Sequence, residues 1–98
     1  MNNHARILYQ NGESKDLAVR PTLKEAQAVV DGYVQFLKAK EDKTDRAVTL
    51  VVNEEGRLQD LPTNMQATNN YSFGFFGTTK HFPLVGNVIV LYGWKTLA

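Results

Sequence analysis

The chain has 98 residues, enough for one domain around a single hydrophobic core. Hydrophobic residues make up 43% and charged residues 21%, a globular rather than a disordered balance. The absence of cysteine excludes a disulfide framework and a thiolate zinc site. A formal net charge of +1 lacks the basic excess that nonspecific nucleic-acid binding needs.

The first elements read as a β-hairpin. Ile7 to Tyr9 is β-prone, Asn11-Gly12 is a turn pair that tolerates positive φ, and Asp16 to Arg20 resumes with Leu17 and Val19 on one face. The stretch from Met1 to Arg6 is polar, without the apolar core of a secretory signal, and the expected location is the cytoplasm. Pro21 and Thr22 announce a helix. Thr22 with Glu25 three residues on forms a capping box, and Leu23, Ala26, Val29, Val30 and Tyr33 follow helical spacing. Asp31-Gly32 supplies a stop, with Gly32 as the left-handed cap; the alternative end is Leu37, at about 1 kcal/mol for an internal glycine. The early stop is favoured because Tyr33 to Leu37 is rich in β-formers.

A charged turn from Lys38 to Arg46 then leads into Ala47–Asn53, the clearest strand of the first half. Glu54-Glu55-Gly56 is a turn, Arg57 to Leu61 a short extended piece ended by Pro62, and Thr63 or Asn64 caps a helical turn through Ala67. Thr68 to Pro83 reads as a long loop holding Tyr71, Phe73, Phe75, Phe76 and Phe82. Val88 to Tyr92 is a continuous apolar run expected to be a central strand covered on both faces, and it is too short to span a membrane. The expected fold is α+β: a mixed, mainly antiparallel sheet with one principal helix packed on one face.

Four segments carry a family resemblance. They are Asp31-Gly32-Tyr33-Val34, Val51-Val52-Asn53-Glu54-Glu55-Gly56-Arg57-Leu58, Leu61-Pro62-Thr63-Asn64 and Val85-Gly86-Asn87-Val88. Together they resemble a family of small uncharacterised domains from phages, plasmids and other bacterial mobile elements, with an Asn-Glu-Glu-Gly-x-Leu turn and a Leu-Pro-x-Asn step. Asp31 stands where that family often has glycine, and Tyr71 to Phe82 matches nothing in its pattern. The resemblance implies a mobile-element origin and carries no activity.

Asn53, Glu54, Glu55 and Asn64 are the candidate turn residues. Paired carboxylates suit acid–base chemistry when one is desolvated, but neighbours in a strand-to-turn segment point apart, so a polar hairpin turn is the default. His4 and His81 have no second histidine at ligand spacing and read as surface residues. Gly74 to Lys80 has the wrong order for a phosphate loop, which needs lysine before the hydroxyl residue. Asn70-Tyr71-Ser72 is a glycosylation sequon by coincidence, and the basic run from Lys38 to Arg46 is neutralised by Glu41, Asp42 and Asp45. No cofactor is implied.

Four functions compete. The first is a non-enzymatic accessory protein that binds or inhibits a host or phage protein, with Tyr71, Phe73, Phe75 and Phe76 as anchors. The second is a binder of a nucleotide-type ligand, in which Thr78 and Lys80 hold phosphate and the aromatics stack. The third is catalysis through Glu54 or Glu55, and the fourth is a homodimer paired through Val88–Tyr92 if that strand lies at an edge.

Overall fold

The computed structural model describes residues 5–56, 58–75, 78–80, 83–93 and 97, with residues 73–75 and 78–80 as backbone. The chain opens with the expected hairpin, β1 (Ala5–Leu8) and β2 (Ser14–Leu17). Asn11-Gly12 makes the turn inside a loop from Tyr9 to Glu13: Gly12 has φ +95°, and the Asn11 side chain accepts from Glu13 N–H at 2.9 Å. Tyr9 and Glu13 close the loop, so β2 starts and ends earlier than Asp16 to Arg20, and Val19 lies beyond it, exposed.

Helix α1 (Leu23–Val30) begins at the capping box. Thr22 Oγ1 accepts from Glu25 N–H at 3.2 Å, and Glu25 Oε1 accepts from Thr22 N–H at 2.9 Å, so two orphan donors are satisfied reciprocally. The helix stops at the earlier of the two expected ends. The left-handed residue is Asp31 (φ 61°, ψ 47°) rather than Gly32, and its N–H bonds Gln27 O. Ala26 and Val30 face the sheet as expected, but Leu23 is 50% exposed because it sits in the open first turn.

Strand β3 (Val34–Glu41) pairs antiparallel with β4 (Ala47–Asn53) along nearly its whole length. It runs through Lys38 and Lys40 to Glu41, which shortens the charged turn expected from Lys38. Charged side chains are compatible with this because they leave the sheet while the backbone keeps its ladder bonds to Thr49 and Ala47. The piece after Gly56 is compact, not extended: Gln59 N–H bonds Glu55 O and Leu61 N–H bonds Gly56 O. Arg57 lies outside the described residues. Asn64 caps α2 (Met65–Asn70), which continues past Ala67.

The stretch from Thr68 to Pro83 is a correction to the loop reading. It contains the end of α2 and a hairpin of β5 (Tyr71–Phe75) and β6 (Thr78–Lys80), paired from Phe73↔Lys80 to Phe75↔Thr78. Alternating β-formers carry this hairpin, and the polar Asn, Thr and Gly content masks the period. Finally β7 (Val88–Tyr92) inserts between β1 and β4.

Six strands form one sheet in the order β2-β1-β7-β4-β3-β5, and β6 extends it by pairing with β5. Every described pairing is antiparallel, within the expected α+β architecture of one principal helix on a sheet. With β7 paired on both edges, a dimer built on that strand is ruled out. Both faces are buried. Ala5, Ile7, Val51, Ile89 and Leu91 meet α1 through Ala26, while Leu8, Val48, Leu50, Val52, Val88 and Val90 lie on the face that carries Ala67 of α2, Tyr71 and Leu84. Both alternating sets of side chains on the central strands are thus core, one per face, each large side chain contributing about 1.5–3 kcal/mol.

Candidate functional site

The candidate turn asparagines are buried joints. Asn53 ends β4, and its Nδ2 donates to Val30 O at 2.9 Å, Asp31 O at 3.2 Å and Gln59 Oε1 at 3.1 Å, while its Oδ1 accepts from Glu55 N–H at 2.8 Å. One side chain therefore ties the end of α1 to β4 and to the following turn. Asn64 is fully buried, with Nδ2 donating to Leu8 O and Gly86 O and Oδ1 accepting from Ala67 N–H. Asn87, in the last of the four sequence segments, accepts from Gln10 N–H and donates to Val29 O. Among the described residues no buried side-chain nitrogen or oxygen lacks a partner. These asparagines satisfy backbone groups that helix ends and strand ends leave open, a structural duty.

Glu54 and Glu55 are exposed in the turn, each contributing its backbone N–H, to Tyr33 O and to the Asn53 side chain respectively. The expected aromatic anchors separate. Tyr71 is 4% exposed and packs into the core. Phe73, Phe75, Thr78 and Lys80 lie in the β5–β6 hairpin as backbone positions, and Phe76, His4 and His81 fall outside the described residues. Among the described residues no group of three or more His, Cys, Asp or Glu side chains is placed to hold a metal, and no helix is long and apolar enough to cross a membrane.

Tyr71 instead forms one wall of a polar cleft of about 240 Å³ with Arg6, Leu8, Glu41, Lys43, Gln66 and Asn70. The elements explain the convergence. Arg6 and Leu8 alternate out of β1 on the α2 face, Glu41 pairs with Tyr71 where β3 meets β5, and Gln66 and Asn70 stand one helical turn apart on α2. Arg6 Nε donates to Asp16 Oδ1 of the paired strand at 2.6 Å. Glu41 accepts from Thr44 Oγ1 at 2.8 Å and, at a longer 3.4 Å, from the Tyr71 hydroxyl. The Gln66 amide nitrogen donates to Tyr9 O and Glu13 O, tying α2 to the first hairpin. Arg46 stacks over the ring of Tyr92, 4.4 Å from its centroid. Burial pushes the Tyr71 phenol well above its usual range; Tyr92 and Glu41 add to this and Arg6 opposes it. The Asp16 hydrogen bond holds Arg6 charged.

The family model described as a domain of unknown function, DUF3846, matches residues 5–94. The chain belongs to the DUF3846 family. Neither the comparison with curated proteins nor that with solved structures yields a match. The matched span of the DUF3846 domain runs from the start of β1 to just beyond β7, so it takes in every described strand and helix and the cleft. Of the residues lining this cleft, the sequence pattern singled out Tyr71 and passed over Arg6. The available signal was an arginine between the apolar Ala5 and Ile7 in a β-prone run, on the same alternation as Leu8.

Proposed function

We propose that this DUF3846 domain is a non-enzymatic binding protein that acts by occupying a macromolecular partner, a protein of the host or of the phage or mobile element encoding it. The contact surface differs from the aromatic segment expected at Tyr71. One observation carries the reading: large apolar side chains stay in solvent around the Asn53 joint. Tyr33 is 70% exposed, Phe36 47% and Leu58 86%. Tyr33 O accepts from Glu54 N–H, and Asn53 bonds Gln59, so the turn bearing Leu58 is held against Tyr33 and the start of β3, which bears Phe36. Grouped exposed aromatics are the usual anchors of protein interfaces, whereas single scattered ones are ordinary. The mobile-element resemblance supports a bacterial cytoplasmic setting.

The test is affinity capture from extract of the native host with the wild-type domain and a Tyr33→Ser/Phe36→Ser/Leu58→Ser variant. A partner retained by the first and lost by the second, at equal melting temperature, supports the reading. Equal retention places the contact elsewhere, and an absence of any stoichiometric partner removes the reading.

A further inference from the structure

We propose that the cleft between β1, α2 and the turn after β3 is a binding site for a small organic oxyanion that also carries a hydrogen-bond donor. The cleft lies on the α2 face, its lining includes none of Tyr33, Phe36 and Leu58, and the inference does not rest on a macromolecular partner.

Arg6 spends its Nε on Asp16, and among the described residues no acceptor pairs with its two terminal amino groups. Lys43 lines the same cleft from the turn, and its ammonium likewise forms no ion pair among those residues. A guanidinium with two open N–H-bearing nitrogens and a nearby ammonium are the groups that receive a carboxylate or phosphate. Arg6 and Leu8 line the cleft together, and the Arg6 side chain is 38% exposed, so its free N–H groups are open to a ligand arriving from solvent.

Glu41 sets the second requirement. Its carboxylate lines the same space and repels a bare anion, yet it keeps lone pairs beyond those used by Thr44 and Tyr71. A ligand that offers a donor to Glu41 turns this repulsion into an attraction. The Asn70 amide nitrogen is taken by Gln66 O, so its oxygen is a further acceptor at the same wall. The Asp16 carboxylate offsets much of the Arg6 charge, so recognition rests on the open guanidinium and ammonium N–H groups rather than on a net positive cleft. A volume of about 240 Å³ lies below the usual range for drug-sized ligands, which points to a ligand of amino-acid or nucleoside-monophosphate size.

The experiment is titration of the isotopically labelled domain, followed by amide chemical shifts, with three probes: inorganic phosphate, adenosine monophosphate and glutamate. The first carries an oxyanion with no comparable amine donor, and the other two distinguish a phosphate from a carboxylate source. The expected result is saturable shifts at Arg6, Lys43, Gln66 and Asn70 with at least one donor-bearing probe, at Kd below about 1 mM and at least about tenfold tighter than phosphate. Lys43→Gln, in an exposed turn, should weaken that binding by about tenfold, and Arg6→Gln by more. Glu41→Gln should narrow the gap by strengthening phosphate and weakening the donor-bearing probe. Three results would overturn the assignment: no saturable shift with any probe at about 10 mM, shifts unchanged in Lys43→Gln, or phosphate binding as tightly as both other probes.

Discussion

Asn64 and Leu8 stand 56 positions apart and are joined by a 2.8 Å hydrogen bond from the asparagine Nδ2 to the leucine carbonyl. The same nitrogen donates to Gly86 O at 2.9 Å, so one amide stitches the start of α2 to the end of β1 and to the approach to β7. Replacing Asn64 by alanine removes these bonds and strands two buried carbonyls and the Ala67 N–H. The expected loss is about 3 kcal/mol. Thermal denaturation followed by circular dichroism should show a melting temperature lower by roughly 12–24 °C. A drop of under about 4 °C would mean that water replaces the amide at no cost.

Gly32 and Asp31 make opposite predictions at adjacent positions. A Cβ on Gly32 would lie 2.7 Å from Asn53 Nδ2, the atom that bonds Val30 O and Asp31 O. Gly32→Ala must displace that amide and is expected to cost about 2 kcal/mol. Asp31 holds φ 61°, a left-handed conformation that glycine adopts without a Cβ penalty. Asp31→Gly keeps the Asp31 carbonyl that Asn53 binds and should stabilise by about 0.5–1 kcal/mol. Urea unfolding of both variants measures the pair, and a destabilised Asp31→Gly would show that its side chain has a further partner.

The Tyr71 phenol supplies a pH prediction. Its folded pKa lies above the unfolded value of 10.0, mainly through burial. A raised pKa means that the folded protein holds this proton more tightly. The associated stability is complete below pH 10 and is lost as pH climbs above it. Tyr92 is shifted in the same direction, also chiefly by burial. Melting temperatures between pH 8 and pH 11 should therefore fall at the alkaline end, and Tyr71→Phe should flatten the fall. Near pH 7 the same substitution should change stability by less than about 0.5 kcal/mol, because the Glu41 bond it removes is long at 3.4 Å.

The capping box offers a local test. Thr22→Ala removes the acceptor for Glu25 N–H and is expected to cost about 1 kcal/mol. The Thr22 backbone bond holds the Glu25 carboxyl below its ordinary range. The stabilisation from that lowered pKa is present above the unfolded value and disappears as pH falls through the folded one. Stability of the wild type measured from pH 7 to pH 3 should lose this contribution, while Glu25→Gln should not show it. Equal acid sensitivity of the two proteins would remove Glu25 from the account.

The amino-acid sequence by itself determined the elements whose signals lie within a few residues. Thr22 and Glu25 start α1, Asn11-Gly12 turns the first hairpin, Ala47–Asn53 forms a strand over the exact span expected, and the apolar run Val88–Tyr92 lies in the sheet interior. Each of these is a backbone preference or a hydrophobic period that neighbours in the chain decide. Only the tertiary structure decided the rest. Tyr71 reads as an anchor in a polar stretch, yet it is core, because its burial depends on β5 pairing with Glu41 of β3. Asn53 and Asn64 read as turn residues, yet they are buried joints, because the carbonyls they satisfy come from Val30 and Leu8, which the fold alone brings near. The cleft has the same origin: Arg6, Glu41 and Gln66 meet only after the first strand pairs with the last and α2 settles on that face. Local propensity specifies pieces, and the satisfaction of distant polar groups and the burial of two sheet faces specify how those pieces meet.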